Sequence, residues 1–230
     1  MSPARPTLVV FDLIGTTVRD RGEVQAAFQA AFEAHGSVIG PATVARWRGA
    51  AKRVAIREAV RESEPHLDEP HLEKRVDKIY DAFREDLIRR LSATPDLPFP
   101  NALPTFERLR DAGMRLALNT GFDRVVAHAV LDATHWPPGL FDAVVTDDDV
   151  DEGRPAPDMI HVAMECVNIR DGALVAVVGD TRLDLEAGFN AGAGWCIGVL
   201  TGAHDRAMLE QAPFTHIVAS VGDVPGLWVT

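Results

Sequence analysis

Thr7-Leu8-Val9-Val10-Phe11-Asp12-Leu13-Ile14-Gly15-Thr16-Thr17 decides how the rest of the chain is read. Leu8 to Phe11 is apolar without interruption, and Asp12 ends the run at a point where Gly15 lets the backbone turn. An unbroken apolar run suits a strand buried on both faces, the habit of parallel sheets. The same pattern recurs at Leu116–Leu118, Ala143–Thr146, Leu174–Val178, Trp195–Val199 and His216–Ala219. Most of these runs stop at a polar or glycine-bearing turn: Asn119-Thr120-Gly121, Gly179-Asp180, Thr201-Gly202. Helical stretches lie between them, at Leu103–Ala112, Arg124–Ala133, Pro157–Val167 and Leu183–Ala191. Strand and helix in alternation predict an α/β fold with a doubly wound parallel sheet. Ligands of such sheets sit at the carboxyl ends of the strands, which here carry Asp12, Thr120 and Asp180.

The alternation breaks between residues 20 and 98, where three helical stretches follow one another: Val24–His35, Pro41–Glu62 and His71–Leu91. The proline-rich Thr94-Pro95-Asp96-Leu97-Pro98-Phe99-Pro100 then returns the chain to the α/β pattern. The simplest account is a helical module, residues 19–99, inserted into a core made of residues 1–18 and 100–230. Its linkers fall near Val18–Gly22 and Ala93–Asn101.

Composition narrows the function. The chain has 230 residues, 47% of them hydrophobic and 25% charged, an ordinary globular mixture. A formal net charge of −11 argues against nucleic-acid binding, which needs a basic face, but leaves room for a small anionic substrate. Cys166 and Cys196 form no CxxC pair, and the eight histidines show no metal-binding spacing. The apolar run at Leu8–Phe11 is too short for a signal segment or a membrane span, so no membrane partner is expected and a cytoplasmic location is.

Four motifs carry chemistry, and each read singly also has an ordinary structural meaning. Asp12 can be a nucleophile or a metal ligand, or simply a turn cap; Thr16 beside it offers a hydroxyl and an amide to an anion. Thr120-Gly121 offers a hydroxyl and free amides to a phosphate, or is a plain strand-to-helix turn. Arg154 can neutralise an anion, or lie on the surface. Asp180 and Asp184, four residues apart, suit a hard cation such as Mg2+, or cap a helix.

Their order separates the alternatives. A strand-end Asp, a strand-end Thr, a basic residue before a helix and a Gly-Asp with a second acid resemble the haloacid dehalogenase superfamily over nearly the whole chain, helical insertion included. The resemblance implies that the insertion is a cap and that Asp12 attacks phosphorus. It also implies that Thr16, Thr120, Gly121 and Arg154 hold phosphoryl oxygens, and that Mg2+ rests on Asp12, the Ile14 carbonyl and Asp180. Asp184 is then a further ligand or a support.

Phosphatases of that superfamily carry an acid two residues after the nucleophile, where this chain has Ile14. Isoleucine cannot protonate a leaving alkoxide. Asp12-Leu13-Ile14-Gly15-Thr16-Thr17 is similar instead to the phosphonatase motif Asp-x-Ala-Gly-Thr-Thr. Gly49-Ala50-Ala51-Lys52 matches the Gly-x-x-Lys of the phosphonatase cap, whose lysine forms a Schiff base. Only Lys52, Lys74 and Lys78 among 23 basic residues are lysines, and only an amine, not a guanidinium, condenses with a carbonyl. Arg46, Arg48, Arg53, Arg57 and Arg61 around Lys52 are expected to lower its pKa by like-charge repulsion where the fold brings them close to it. The resemblance departs at Ala55, where phosphonatases have His, at Phe122, where they have Tyr, and at Arg48, where they have Met. Arg48 is a candidate contact for an extra polar group on the substrate. The resulting expectation is a Mg2+-dependent hydrolase that cleaves the C–P bond of phosphonoacetaldehyde or a related 2-oxoalkylphosphonate. The alternatives are a phosphatase for activated esters or acyl phosphates, in which Lys52 only binds an anion, and a decayed site that binds a phospho-ligand. The resemblance also implies a homodimer formed through the cap.

Overall fold

The computed structural model describes residues 4–47, 49–94 and 96–229. Its centre is a six-stranded, wholly parallel sheet. The strands are β1 (Leu8–Asp12), β2 (Arg115–Asn119), β3 (Ala143–Val145), β4 (Val175–Gly179), β5 (Trp195–Val199) and β6 (His216–Val218), in the order β3-β2-β1-β4-β5-β6. The chain builds outward from β1 to β3 on one side, then crosses back to β4 on the other. The crevice at the carboxyl ends of β1 and β4 is therefore the topological switch point where α/β sheets bind ligands.

Side-chain alternation explains why the strands are apolar throughout. Val9 and Phe11 face the same core as Leu116, Leu118, Ala176 and Val178, whereas Leu8 and Val10 face another with Ala117, Val145, Val175 and Val177. Both faces are covered. Helix α5 (Ala102–Asp111) packs on β2 at the first face, and α7 (Asp158–Cys166) packs across β1, β2 and β3 at the second. Helices α6 (Arg124–Thr134), α8 (Arg182–Asn190) and the short α9 (Arg206–Leu209) complete the core. Phe106 of α5 sits at the centre of the first face, its ring 5.2 Å from Phe11, 5.2 Å from Trp136 and 4.9 Å from Phe141.

Among the described residues between β1 and α5 stand four helices: α1 (Glu23–Ala34), α2 (Pro41–Arg46), α3 (Lys52–Ser63) and α4 (Glu69–Ser92). The longest, α4, opens on an Asp68 side chain that accepts from the His71 amide at 3.1 Å. It buries Leu72, Val76, Ile79, Phe83, Leu87 and Leu91, a stripe at helical spacing. The stretch expected as one helix over Pro41–Glu62 is two. Gly49 adopts φ +82°, the left-handed region that stops a helix, and the segment to Ala51 runs across the core before α3 begins at Lys52. The two linkers pair with each other: Arg19 N–H donates to the Leu97 carbonyl at 2.9 Å, and Phe99 N–H to that of Thr17 at 3.0 Å. No described helix is long and apolar enough to cross a membrane.

Phe106 is fully buried and touches three aromatic rings, so Phe106→Ala is expected to cost about 3–5 kcal/mol by cavity formation. Urea unfolding at constant m-value measures it.

Candidate active site

Asp12 closes β1, and Asp180 follows β4, its hydrogen-bonded neighbour, so the two carboxylates face one crevice. Gly15, at φ +101°, lets the chain double back beneath Asp180; a Cβ there would stand 2.5 Å from Asp180 Oδ2. Thr16 donates its hydroxyl to Asp180 Oδ1 at 3.0 Å, and the Ala203 amide donates to Oδ2 at 2.6 Å. Thr17 holds the turn by donating to the Leu13 carbonyl at 2.9 Å and to that of Asp12 at 3.1 Å.

Arg154 reaches the same crevice from the crossing between β3 and β4. Nη1 donates to Asp12 Oδ1 at 2.8 Å and lies 2.6 Å from Asp184 Oδ1. Nη2 donates to the Asn119 side-chain oxygen at 2.8 Å and to its carbonyl at 3.0 Å. Asp184 spends its other oxygen on Thr181, accepting from the hydroxyl at 2.6 Å and from the amide at 2.9 Å. One guanidinium thus faces a group of buried acids. Burial, partly offset by Arg154, raises the Asp12 pKa to about 6, with the nearby Asp184 charge adding to the rise. Burial and the charges of Asp12 and Asp184 push Asp180 well above the ordinary carboxylate range.

Lys52, the first residue of α3, is buried against this group. Its backbone N–H donates to the Gly121 carbonyl at 3.2 Å and its Nζ to the Ala50 carbonyl at 2.7 Å, 4.7 Å from the centre of the Phe122 ring. Burial lowers its pKa to about 8, with Arg154 pulling the same way against Asp12 and Asp147. The expected cause is therefore corrected. Arg46 is paired with Glu62 at 2.6 Å, Arg53 with Asp77 at 2.6 Å and Glu73 at 2.9 Å, Arg57 with Glu73 at 2.8 Å, and Arg61 with Glu69 at 3.2 Å. Their charges are answered locally, and desolvation does what repulsion was expected to do.

A cavity of about 150 Å³ brings together Asp12, Ile14, Lys52, Thr120, Gly121, Arg154 and Asp180, with Val24, Gln25, Phe28, Val44 and Trp47 of the insertion as its far wall. Thr16 is placed differently from expectation, and Asp184 takes the supporting place of the two expected for it. The hydroxyl of Thr16 is fully buried and turned to Asp180 rather than to the cavity. Asp184 does not line the cavity, because both its oxygens are engaged by Thr181 and Arg154. Arg48 lies outside the described residues. Asn119 and Thr181 also serve the site, and standing beside Thr120 and Asp180 is the one sequence signal they carry. The Thr201–Ala203 loop seats Asp180 through the Ala203 amide and is tied to the first turn by the Thr201 hydroxyl, which donates to the Gly15 carbonyl at 2.8 Å; in the sequence Thr201-Gly202 shows only as a strand-end turn.

Among the described residues no three His, Cys, Asp or Glu side chains are gathered in a metal-binding cluster. A hard cation still fits at two carboxylates and a carbonyl. Asp12 and Asp180 are buried and short of positive charge, glycines at 15 and 202 leave the space around Asp180 that a Cβ would fill, and the Ile14 carbonyl accepts no hydrogen bond among the described residues.

A family profile described as haloacid dehalogenase-like hydrolase matches residues 6–192. The chain is 30% identical over 213 residues to a phosphonoacetaldehyde hydrolase of Bacteroides fragilis, covering 88% of this chain and 79% of that one. Its fold is similar to that of a phosphonoacetaldehyde hydrolase-like protein from Oleispira antarctica (TM-score 0.83, 22% identity, 99% of this chain and 93% of that one). It is also similar to a predicted phosphoglycolate phosphatase from Haemophilus somnus (TM-score 0.80, 20% identity, 97% and 98%).

Asp12 binds its proton more tightly folded than unfolded, since its folded pKa of about 6 exceeds the ordinary 3.8. The stability this contributes is full below about pH 4 and is lost as pH rises through about 6, by roughly 2–3 kcal/mol. Urea titrations of cation-free protein at pH 4 and 7.5 are expected to show most of that loss, and Asp12→Asn to flatten it.

Proposed function

The chain belongs to the haloacid dehalogenase-like hydrolase family, and on that footing we propose that it cleaves the carbon–phosphorus bond of phosphonoacetaldehyde or a related 2-oxoalkylphosphonate. The observation that carries this reading is Lys52: an amine buried in the same cavity as Asp12, with its pKa lowered to about 8, beside a position 14 that holds no acid. The relatives named phosphonoacetaldehyde hydrolase support the same substrate class.

The chemistry follows from what the leaving group needs. Expelling an alkoxide calls for a proton donor, which Ile14 cannot be. Expelling carbon calls for an electron sink. Neutral Lys52 adds to the substrate carbonyl, and loss of water leaves an iminium. Asp12 attacks phosphorus, the C–P pair moves into the iminium, and an enamine and an aspartyl phosphate result. Water then attacks the aspartyl phosphate and releases phosphate. The enamine takes a proton on carbon, and hydrolysis of the iminium returns Lys52 and the shortened carbonyl compound.

Arg154 and Thr120 are proposed to hold the phosphoryl oxygens as Asp12 approaches. That role requires Arg154 to share its Nη1 between Asp12 and the substrate, while Asn119 keeps the guanidinium in place. Asp12, Asp180 and the Ile14 carbonyl would hold Mg2+, which when bound supplies positive charge to offset the substrate's. Asp184 is assigned to fixing Arg154.

Lys52→Arg is expected to lower phosphate release from oxoalkylphosphonates by at least ~10³-fold and leave acetyl phosphate hydrolysis within about three-fold, whereas Asp12→Asn abolishes both. Phosphonate turnover undiminished in Lys52→Arg would falsify the amine mechanism. Removal of divalent cations with EDTA should stop phosphate release, and added Mg2+ restore it.

A further inference from the structure

Three consecutive residues of the segment between α2 and α3 rest on three different loops of the core. A Cβ on Gly49 would stand 2.5 Å from Thr181 Oγ1. A Cβ on Gly121 would stand 2.9 Å from the Ala50 carbonyl oxygen and 3.1 Å from its carbon. A Cβ on Gly153 would lie 3.5 Å from the Ala51 side chain. Those loops also carry Thr120, Arg154 and Asp180, so the segment is seated on the parts that build the cavity.

The middle contact bears on the amine. The Ala50 carbonyl that accepts from Lys52 Nζ at 2.7 Å is the atom a side chain at position 121 would strike. The Gly121 carbonyl in turn accepts from the Lys52 backbone amide at 3.2 Å. Gly49 needs its glycine for a left-handed φ of +82°, but the φ of Gly121 lies outside that region. Close approach, not backbone conformation, is what requires glycine at 121.

We propose that Gly121 is a positioning residue for Lys52: lacking a side chain, it lets the Ala50 carbonyl sit against the core and hold the amine in the buried pocket over Phe122. The inference deepens the amine reading above and rests on it. A methyl group at 121 must push the Ala50 carbonyl away by a few tenths of an ångström, because the clash is with backbone. The segment then lifts, the amine meets more water, and its pKa moves back up.

The test follows wild type, Gly121→Ala and Ala51→Val by single-turnover borohydride trapping and by the pH dependence of kcat/KM with 2-oxopropylphosphonate. Ala51→Val presses the next residue of the same segment against the Gly153 loop, lifting the segment from a second point, and guards against a folding defect peculiar to the first variant. Both variants are expected to form the trapped adduct 10- to 100-fold more slowly, with kcat falling more than KM changes, and to shift the rising limb near pH 8 upward by about half a unit or more. Wild-type trapping rates and an unmoved limb in both variants would overturn the inference alone. No trapped adduct from wild type with any oxoalkylphosphonate it cleaves would overturn the amine reading and this inference together.

Discussion

One guanidinium holds the catalytic end of the sheet together. Arg154 touches Asp12 at the end of β1, Asn119 at the end of β2 and Asp184 in the first turn after β4. These strands are adjacent only because the chain reverses its direction of growth at β1. Buried acids without a partner would take up protons instead of staying charged. Arg154 is too little to neutralise Asp12, Asp180 and Asp184 together, and the raised pKa values of Asp12 and Asp180 register the deficit. The same deficit favours added positive charge beside these carboxylates. Attack on an anionic phosphoryl group is feasible only where such charge is at hand.

Lys52, the amine of the proposed mechanism, meets a different requirement by the opposite means. A nucleophilic amine must be neutral near working pH, and water keeps an exposed lysine charged. Burial removes that water, Phe122 places an aromatic face over the nitrogen, and one backbone carbonyl takes its hydrogen bond. The acids below supply partial compensation, so the amine is depressed without being forced neutral. Both functional groups owe their properties to the same closed contact between insertion and core. The acids are raised and the amine lowered by one loss of solvent.

Much of this was legible in the residues. The strand runs, the helical insertion and the carboxyl-end turns follow from periodicity, and β5 matches its run at Trp195–Val199 end to end. The acids, Thr120 and Arg154 stand out by their order at strand ends and before helices, and Lys52 by its likeness to the Gly-x-x-Lys cap motif in a chain poor in lysine. Less legible were groups that act through shape or backbone. Pro41–Glu62 reads as a continuous helix because Ala and Arg favour one, and the break comes with the left-handed φ of +82° at Gly49, which packs against Thr181 across the fold. The orientation of Thr16 toward Asp180 depends on a tertiary partner 164 positions away. The charge state of Lys52 was assigned to the nearest arginines in sequence. Ion pairs with the acids of α4 and neighbouring turns answer most of those charges, which no reading of α3 alone reveals.

The insertion leaves and re-enters the core through strands that pair at Val18 and Pro98. Its two ends are therefore a hydrogen bond apart, like the stems of a hairpin. Seen from the sheet, the four helices are a single loop, however long, and closing a longer loop costs only slowly more entropy. Such an attachment lets one platform be refitted: a lineage can exchange, enlarge or trim the inserted piece while the strands and their acids stay in register.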